Sequence, residues 1–398
     1  MRPDDAVSFF INTMKTLLTI LLLLATSYNI YAAENILRIK GNISGITNDT
    51  LIVQLIDIET SRMTESKTCR TEGGNFDISI PTEKVSYLAI TYKTLSEGKT
   101  TKKDLSYIAV PGEELIINST AEGICVEGTQ FYNDYKQFEV FNKTFQTKWR
   151  QLNLDFASQR DMPGANVDSL KQVFSGKADA MRHTISEEAM DYIRKNPSSE
   201  ISIVMLNNVF CTDIDRASTL LDSTARNGRF KAYIDFLVKK AHTDAVRLKA
   251  SKTIKEGNLA PDFTLTDING NKLTLSSLRG KYVILDFWGS WCGWCIKGMP
   301  EMKKYYEKYR DRMEILGIAC NDKEPKWKAA VEKHQLPWLH VLNGTPDDVT
   351  AQYNITGYPT KIVLDSEGRI LKIVSGESPE FYTFIDERVE GWKVEGGR

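Results

Sequence analysis

"KYVILDFWGSWCGWCIKGMPEMKKYYEKYR", residues 281 to 310, decides how the C-terminal third of this chain is read. From Tyr282 to Trp288 the run is apolar except for Asp286. It lacks the strict alternation of a half-exposed strand, and so predicts a strand buried on both faces, the parallel-sheet kind. The residues from Trp294 to Arg310 predict a helix that begins at the cysteines. Cys292 then lies in the first helical turn and Cys295 on the same helix face. Unpaired backbone N–H groups at a helix start favour negative charge nearby, which promotes loss of a thiol proton. A thiolate attacks disulfides, and a second thiol this close can resolve the mixed disulfide that forms. Cys292 is expected to be the more exposed attacker and Cys295 the resolver.

Other uses of the pair compete. A zinc site requires a second C-x-x-C or a suitably spaced His pair, and His334 and His340, six apart on a predicted helix and strand, do not supply one. A staple closing so short a loop adds little stability. A chance pair is the remaining possibility. The strand before and the helix after favour redox chemistry.

Outward from this segment, "MEILGIAC" predicts a second buried strand, "EPKWKAAVEKHQ" a helix, "WLHVL" a short strand, "TKIVLDSEGRILKIVSG" a hairpin and "PEFYTFIDERVEGW" a final helix. That order predicts an α/β sheet with helices on both faces. A polar stretch, "SKTIKEGNLAPDF", sets the boundary before it, so the C-terminal domain is expected at 255–398.

Residues 129–254 predict a helical domain. Phe131, Tyr135, Phe138, Phe141, Phe145 and Trp149 recur at three- and four-residue steps, a stripe that usually marks a core or an inter-helix seam. Residues 34–128 predict an antiparallel, sandwich-like β domain from short alternating segments and frequent turns, such as Phe76, Ile78 and Ile80 after Gly73-Gly74. Cys69 and Cys125 bracket this domain and are candidates for a disulfide. Cys211 and Cys320 are expected to be buried.

The 398 residues carry a formal net charge of −1, with 41% apolar and 26% charged residues, which calls for neither nucleic acid nor an anionic surface as partner. Residues 1–33 include Lys15, the apolar run Leu17 to Ala25, and small residues at Ala32-Ala33. This reads as a secretory signal peptide too short to span a bilayer, with Met14 the expected start of translation. No second long apolar run follows, so no stable membrane span is expected in the mature chain. The expected location is outside the cytosol, in the periplasm or envelope of a Gram-negative-type cell, where a disulfide can persist.

Residues 255 to 395 resemble the exported thioredoxin-like proteins of the TlpA/ResA type, within the AhpC/TSA-redoxin superfamily. The residues that carry the likeness are Ala260-Pro261-Asp262-Phe263, Gly270, Leu275, Leu278-Arg279-Gly280-Lys281, Asp286-Phe287-Trp288, Trp291-Cys292 and "ITGYPTKIVLDSEGRI". The resemblance implies a thioredoxin-like fold and a thiol–disulfide oxidoreductase that reduces disulfides of exported proteins. It implies Cys292 and Cys295 as the redox pair, Pro359 as a cis-proline beside Cys292, and Asp286 as general base for Cys295. Trp291, Trp294 and Tyr358 are then the expected substrate contacts. The implied partners are protein disulfides and an electron donor such as a membrane thiol reductase; no cofactor or metal is called for. Two positions depart from the pattern. Gly298 stands where such proteins often carry a glutamate, Glu301 is no obvious substitute, and proton handling then rests on Asp286 alone. Gly293-Trp294 separates the cysteines where proline is common in the second place. Two other readings are a thiol peroxidase, against which Gly289 stands in place of the usual Thr or Ser, and an envelope protein that binds a partner and uses the redox fold as scaffold.

Overall fold

The computed structural model describes residues 35–46, 50–96, 99–120, 123–344 and 348–390. The expected signal peptide lies outside the described residues. The chain divides into two compact units, one ending at Ala241 and one beginning at His242. No described helix is long and apolar enough to cross a membrane.

The first unit opens with strands β1 (Ile36–Asn42), β2 (Thr50–Ile56), β3 (Met63–Arg70), β4 (Asn75–Pro81), β5 (Ser86–Ser96), β6 (Lys99–Ala109), β7 (Glu114–Thr120) and β8 (Gly123–Gly128). They form two four-stranded sheets, ordered β4-β1-β7-β8 and β3-β2-β5-β6. The alternation read from the sequence is real: Leu37 and Ile39, Leu51, Val53 and Leu55, and Phe76, Ile78 and Ile80 turn into one core. Pairing is antiparallel except that β1 runs parallel to β7, with Ile39 opposite Leu115. The chain between them spends its reversals in the other strands and returns in its starting direction. Cys69 is on β3 and Cys125 on β8, in different sheets, and both are free thiols, so the disulfide expected between them is not formed.

Helices α1 (Gln130–Arg160), α2 (Val167–Lys195), α3 (Glu200–Met205), α4 (Ile214–Leu220), α5 (Ser223–Asn227) and α6 (Lys231–Thr253) follow, the unit division falling within α6. The aromatic stripe is a seam. Phe131 stacks on Phe230 at 5.4 Å, the Tyr132 hydroxyl donates to the Ile108 carbonyl at 2.8 Å, and further along α1 Trp149 meets Phe174 of α2 at 6.2 Å. Arg229 donates to Glu113 at 2.6 Å and to Glu200 at 2.7 Å, a charged tie between the β6–β7 turn and the helices. Cys211 is half-buried in a short 3-10 turn, less covered than expected.

The second unit contains β9 (Thr264–Asp267), β10 (Lys272–Thr274), β11 (Tyr282–Trp288), α7 (Gly293–Tyr309), β12 (Met313–Ala319), α8 (Glu324–Lys333), β13 (Leu339–Leu342), α9 (Val349–Gln352), β14 (Thr360–Leu364), β15 (Ile370–Ser375) and α10 (Pro379–Glu390). One sheet, β10-β9-β13-β12-β11-β14-β15, holds all its strands. β11 is parallel to β12 and antiparallel to β14. This is the predicted order with a β9–β10 hairpin and the short α9 added. Successive β11 residues face opposite sides. Tyr282, Ile284 and Trp288 pack with α7, α8 and α10, while Val283, Leu285 and Phe287 pack with Leu275, Val349 and Tyr353. The helices are therefore shared unevenly: three cover one face, and α9 with the segment around Phe263 and Leu275 covers the other.

His340 on β13 is 3% exposed, its ring 6.2 Å from Trp288 and 5.9 Å from Trp338. Burial pushes its pKa down to about 4. The unfolded chain therefore takes up a proton that the folded chain refuses, and the stability this neutral ring preserves is complete above the unfolded value near 6.5 and lost as pH falls towards 4. The loss is up to roughly 3 kcal/mol. Chemical denaturation of wild type and His340→Gln between pH 7 and 4 should show a shallower decline in the variant; parallel curves would refute the assignment.

Candidate active site

The site is built where β11 hands over to α7. Ser290, in the connection, is held by Asp322, whose carboxylate accepts from the Ser290 backbone N–H at 2.6 Å and from its hydroxyl at 2.9 Å. Cys292 is the N-cap of α7, and its sulfur accepts from the Cys295 backbone N–H at 3.2 Å. A side chain in that position satisfies one of the otherwise unpaired donors of the first turn. Cys292 and Cys295 are joined by a disulfide, with Cα atoms 5.3 Å apart. The expectation that Cys292 is the more exposed is not met in this oxidised form: the two residues are 6% and 5% exposed. Both cysteines belong to the same core cluster as Met299 and Met302.

The exposed surface beside the bridge is aromatic. Trp291 is 53% and Trp294 66% exposed. The Trp291 indole N–H donates to the Cys320 carbonyl at 3.1 Å, and its ring meets Tyr358 edge-on at 5.3 Å. The Tyr358–Pro359 peptide is cis. Trp291, the residue before the first cysteine, thus meets the segment that carries Pro359. Trp294 points elsewhere, with the Lys297 ammonium 5.2 Å from its ring, and borders a groove of about 480 Å³ that Glu301, Glu377 and Tyr382 also line. Burial pushes the Tyr358 hydroxyl well above its ordinary pKa and the Cys320 thiol up to about 12. Cys320 is therefore a protonated core residue at neutral pH.

A side chain at Gly289 would collide with the Trp291 indole, at 2.5 Å from its nitrogen. The Thr or Ser of a peroxidase-type loop does not fit here without displacing that ring. Among the described residues no cluster of three His, Cys, Asp or Glu is placed to hold a metal.

Asp286 is 7% exposed and on the β11 face that looks towards α7, the face of Ile284 and Trp288. Burial raises its pKa; the Lys361 ammonium acts against this, and Glu377 adds to it. Two of these neighbours went unremarked in the sequence. Lys361 is directly opposite Asp286 in the β11–β14 register, 2% exposed, with Nζ 3.8 Å from Oδ1. The same nitrogen donates to Glu377 at 2.6 Å. Glu377 fills the space beside Gly298: a Cβ there would come within 2.3 Å of its carboxylate oxygen. A signal for Lys361 was available, since a lysine inside the apolar run "TKIVL" demands a buried partner. Nothing local marked Glu377, which reaches the site from beyond β15.

Residues 257–373 match the AhpC/TSA family model. The chain is 33% identical over 138 residues to the thiol-disulfide oxidoreductase ResA of Bacillus cereus, covering 34% of this chain and 75% of that protein. It is 32% identical over 126 residues to the thioredoxin-like protein YneN of Bacillus subtilis, covering 31% of this chain and 73% of YneN. Among solved structures, the thioredoxin domain of a thiol-disulfide oxidoreductase from Bacteroides vulgatus aligns at 35% identity and a TM-score of 0.32, covering 34% of this chain and 98% of that one. With a close cysteine pair capping a helix at the end of a central strand, the chain belongs, through its second unit, to the thioredoxin-like thiol–disulfide oxidoreductases of the AhpC/TSA family.

Proposed function

We propose that this protein reduces disulfides of other proteins outside the cytosol, cycling through a mixed disulfide on Cys292. The observation that carries the reading is the Cys292–Cys295 bridge at the N-terminus of α7, flanked by uncovered indoles that offer an apolar landing for an extended partner. Export is supported by the signal-like residues 1–33.

In the reducing direction the Cys292 thiolate attacks one sulfur of the partner's disulfide, and the other leaves as a thiolate. Cys295 then gives its proton to Asp286 and attacks Cys292, releasing the partner's second sulfur. The protein is left with the bridge between its own cysteines, and a dithiol donor returns the two electrons. Asp286 suits the acceptor role because it is buried on the side of the sheet that faces α7 and its pKa is raised towards the working pH. Trp291, Tyr358 and Pro359 form the edge along which a partner segment would align, and Trp294 the next contact beyond it.

Cys292→Ser should abolish catalysed reduction of insulin by dithiothreitol, and Cys295→Ser should trap partners as mixed disulfides on Cys292; wild-type turnover by the first variant would overturn the reading. Asp286→Asn should slow resolution by about 100-fold or more at pH 7. The carboxylate accepts a proton only when ionised, so the wild-type rate should fall as pH drops through its raised pKa. The variant should lose that limb and recover only as the thiol ionises unaided, in the range above about 8. Single-turnover rates across pH 5 to 10 would test this, and identical profiles would remove Asp286 from the cycle.

A further inference from the structure

Three charged side chains run from the middle of the sheet to the groove beside α7. Asp286 is buried, and its Oδ1 makes no hydrogen bond among the described residues. Lys361, opposite it, has less exposure still and holds Asp286 at 3.8 Å and Glu377 at 2.6 Å. Glu377 has a side chain 21% exposed and lines the groove. A buried acid that takes a proton in every cycle must also lose it, and Asp286 itself has almost no contact with solvent. The absent side chain at Gly298 is what lets the Glu377 carboxylate reach Lys361 beneath α7.

We propose that Glu377 is the solvent end of a proton path, Asp286 to Lys361 to Glu377, that carries off the proton given up by Cys295 while its sulfur attacks the mixed disulfide, so that cutting the path slows resolution itself. The proposal rests on the reading of Asp286 as acceptor of that proton. The path balances without any net change at its centre. Neutral Asp286 passes its proton to Lys361 as the Lys361 ammonium passes one of its own to the Glu377 carboxylate. Glu377 then releases a proton to the groove. The gap between Lys361 and Asp286 requires an approach of roughly 1 Å to reach hydrogen-bond length. The other titratable groups bordering the groove with Glu377 are Lys297, Glu301 and Tyr305 on α7 and Tyr382 on α10.

The test separates attack from resolution. Reduced full-length protein carrying Cys69→Ser, Cys125→Ser and Cys211→Ser is mixed with dithiobis(nitrobenzoate) in a stopped-flow instrument. The first thionitrobenzoate burst reports attack by Cys292, and the second reports attack by Cys295 on the mixed disulfide. Glu377→Gln should slow the second burst roughly tenfold at pH 7, with the first burst changed less than about twofold. Asp286→Asn should slow the second burst as well. If Asp286→Asn slows it and Glu377→Gln does not, the path is wrong and the acceptor reading stands; if neither does, both fall. Glu377→Ala with Gly298→Glu returns a carboxylate to the same space from α7, and should bring the second burst back to within about threefold of wild type. A double variant as slow as Glu377→Ala alone would overturn the proposal.

Discussion

An acid and a base with almost no access to water face each other across β11 and β14, at the centre of the second unit. Neither is tolerable there alone, because removing a single charge from water costs several kcal/mol. Their pairing fixes much else. β14 must meet β11 in the antiparallel register that sets Lys361 against Asp286, and the loop after β15 must bring Glu377 inward to accept a hydrogen bond from the ammonium. α7 must be bare at position 298 to admit that carboxylate. The same strand that carries Asp286 ends at the turn leading into the cysteines, so the acid and the thiols are held on one rigid frame.

How much of this the sequence disclosed depends on how local each signal is. The central strand, the helix opening at the cysteines and the hairpin after Pro359 were legible because each is written in consecutive residues. So were the two-residue alternation of β1, β2 and β4 and the stripe of α1. The strand β3, "MTESKTCR", was not, because all but Cys69 of its side chains are exposed and no apolar period remains to detect. The β9–β10 hairpin has only four and three residues, too few to show a period. The parallel meeting of β1 with β7 and the fate of Cys69 and Cys125 depend on topology.

At the site the contrast is sharper. The cysteines, Asp286 and the tyrosine–proline pair were found from spacing and resemblance. Their surroundings were not, since Glu377 is 79 residues after Gly298 and approaches from another element. Reading Gly298 as the loss of an acid was correct for the helix and incomplete for the space around it. The two cysteines, joined in a bridge, are covered about equally and share one core cluster, so the expected difference in exposure is not seen in this form.

The polarity of β3 has a consequence of its own. It is an outermost strand of its sheet, and an unprotected edge of that kind is a template for another chain to add to. Glu65, Lys67 and Arg70 place charges of both signs along it, and neither of its faces offers an apolar strip for a newcomer to bury. An intruding strand would gain backbone hydrogen bonds and little else. The segment that was hardest to recognise as a strand is thus one well suited to keep the sheet from growing into an aggregate.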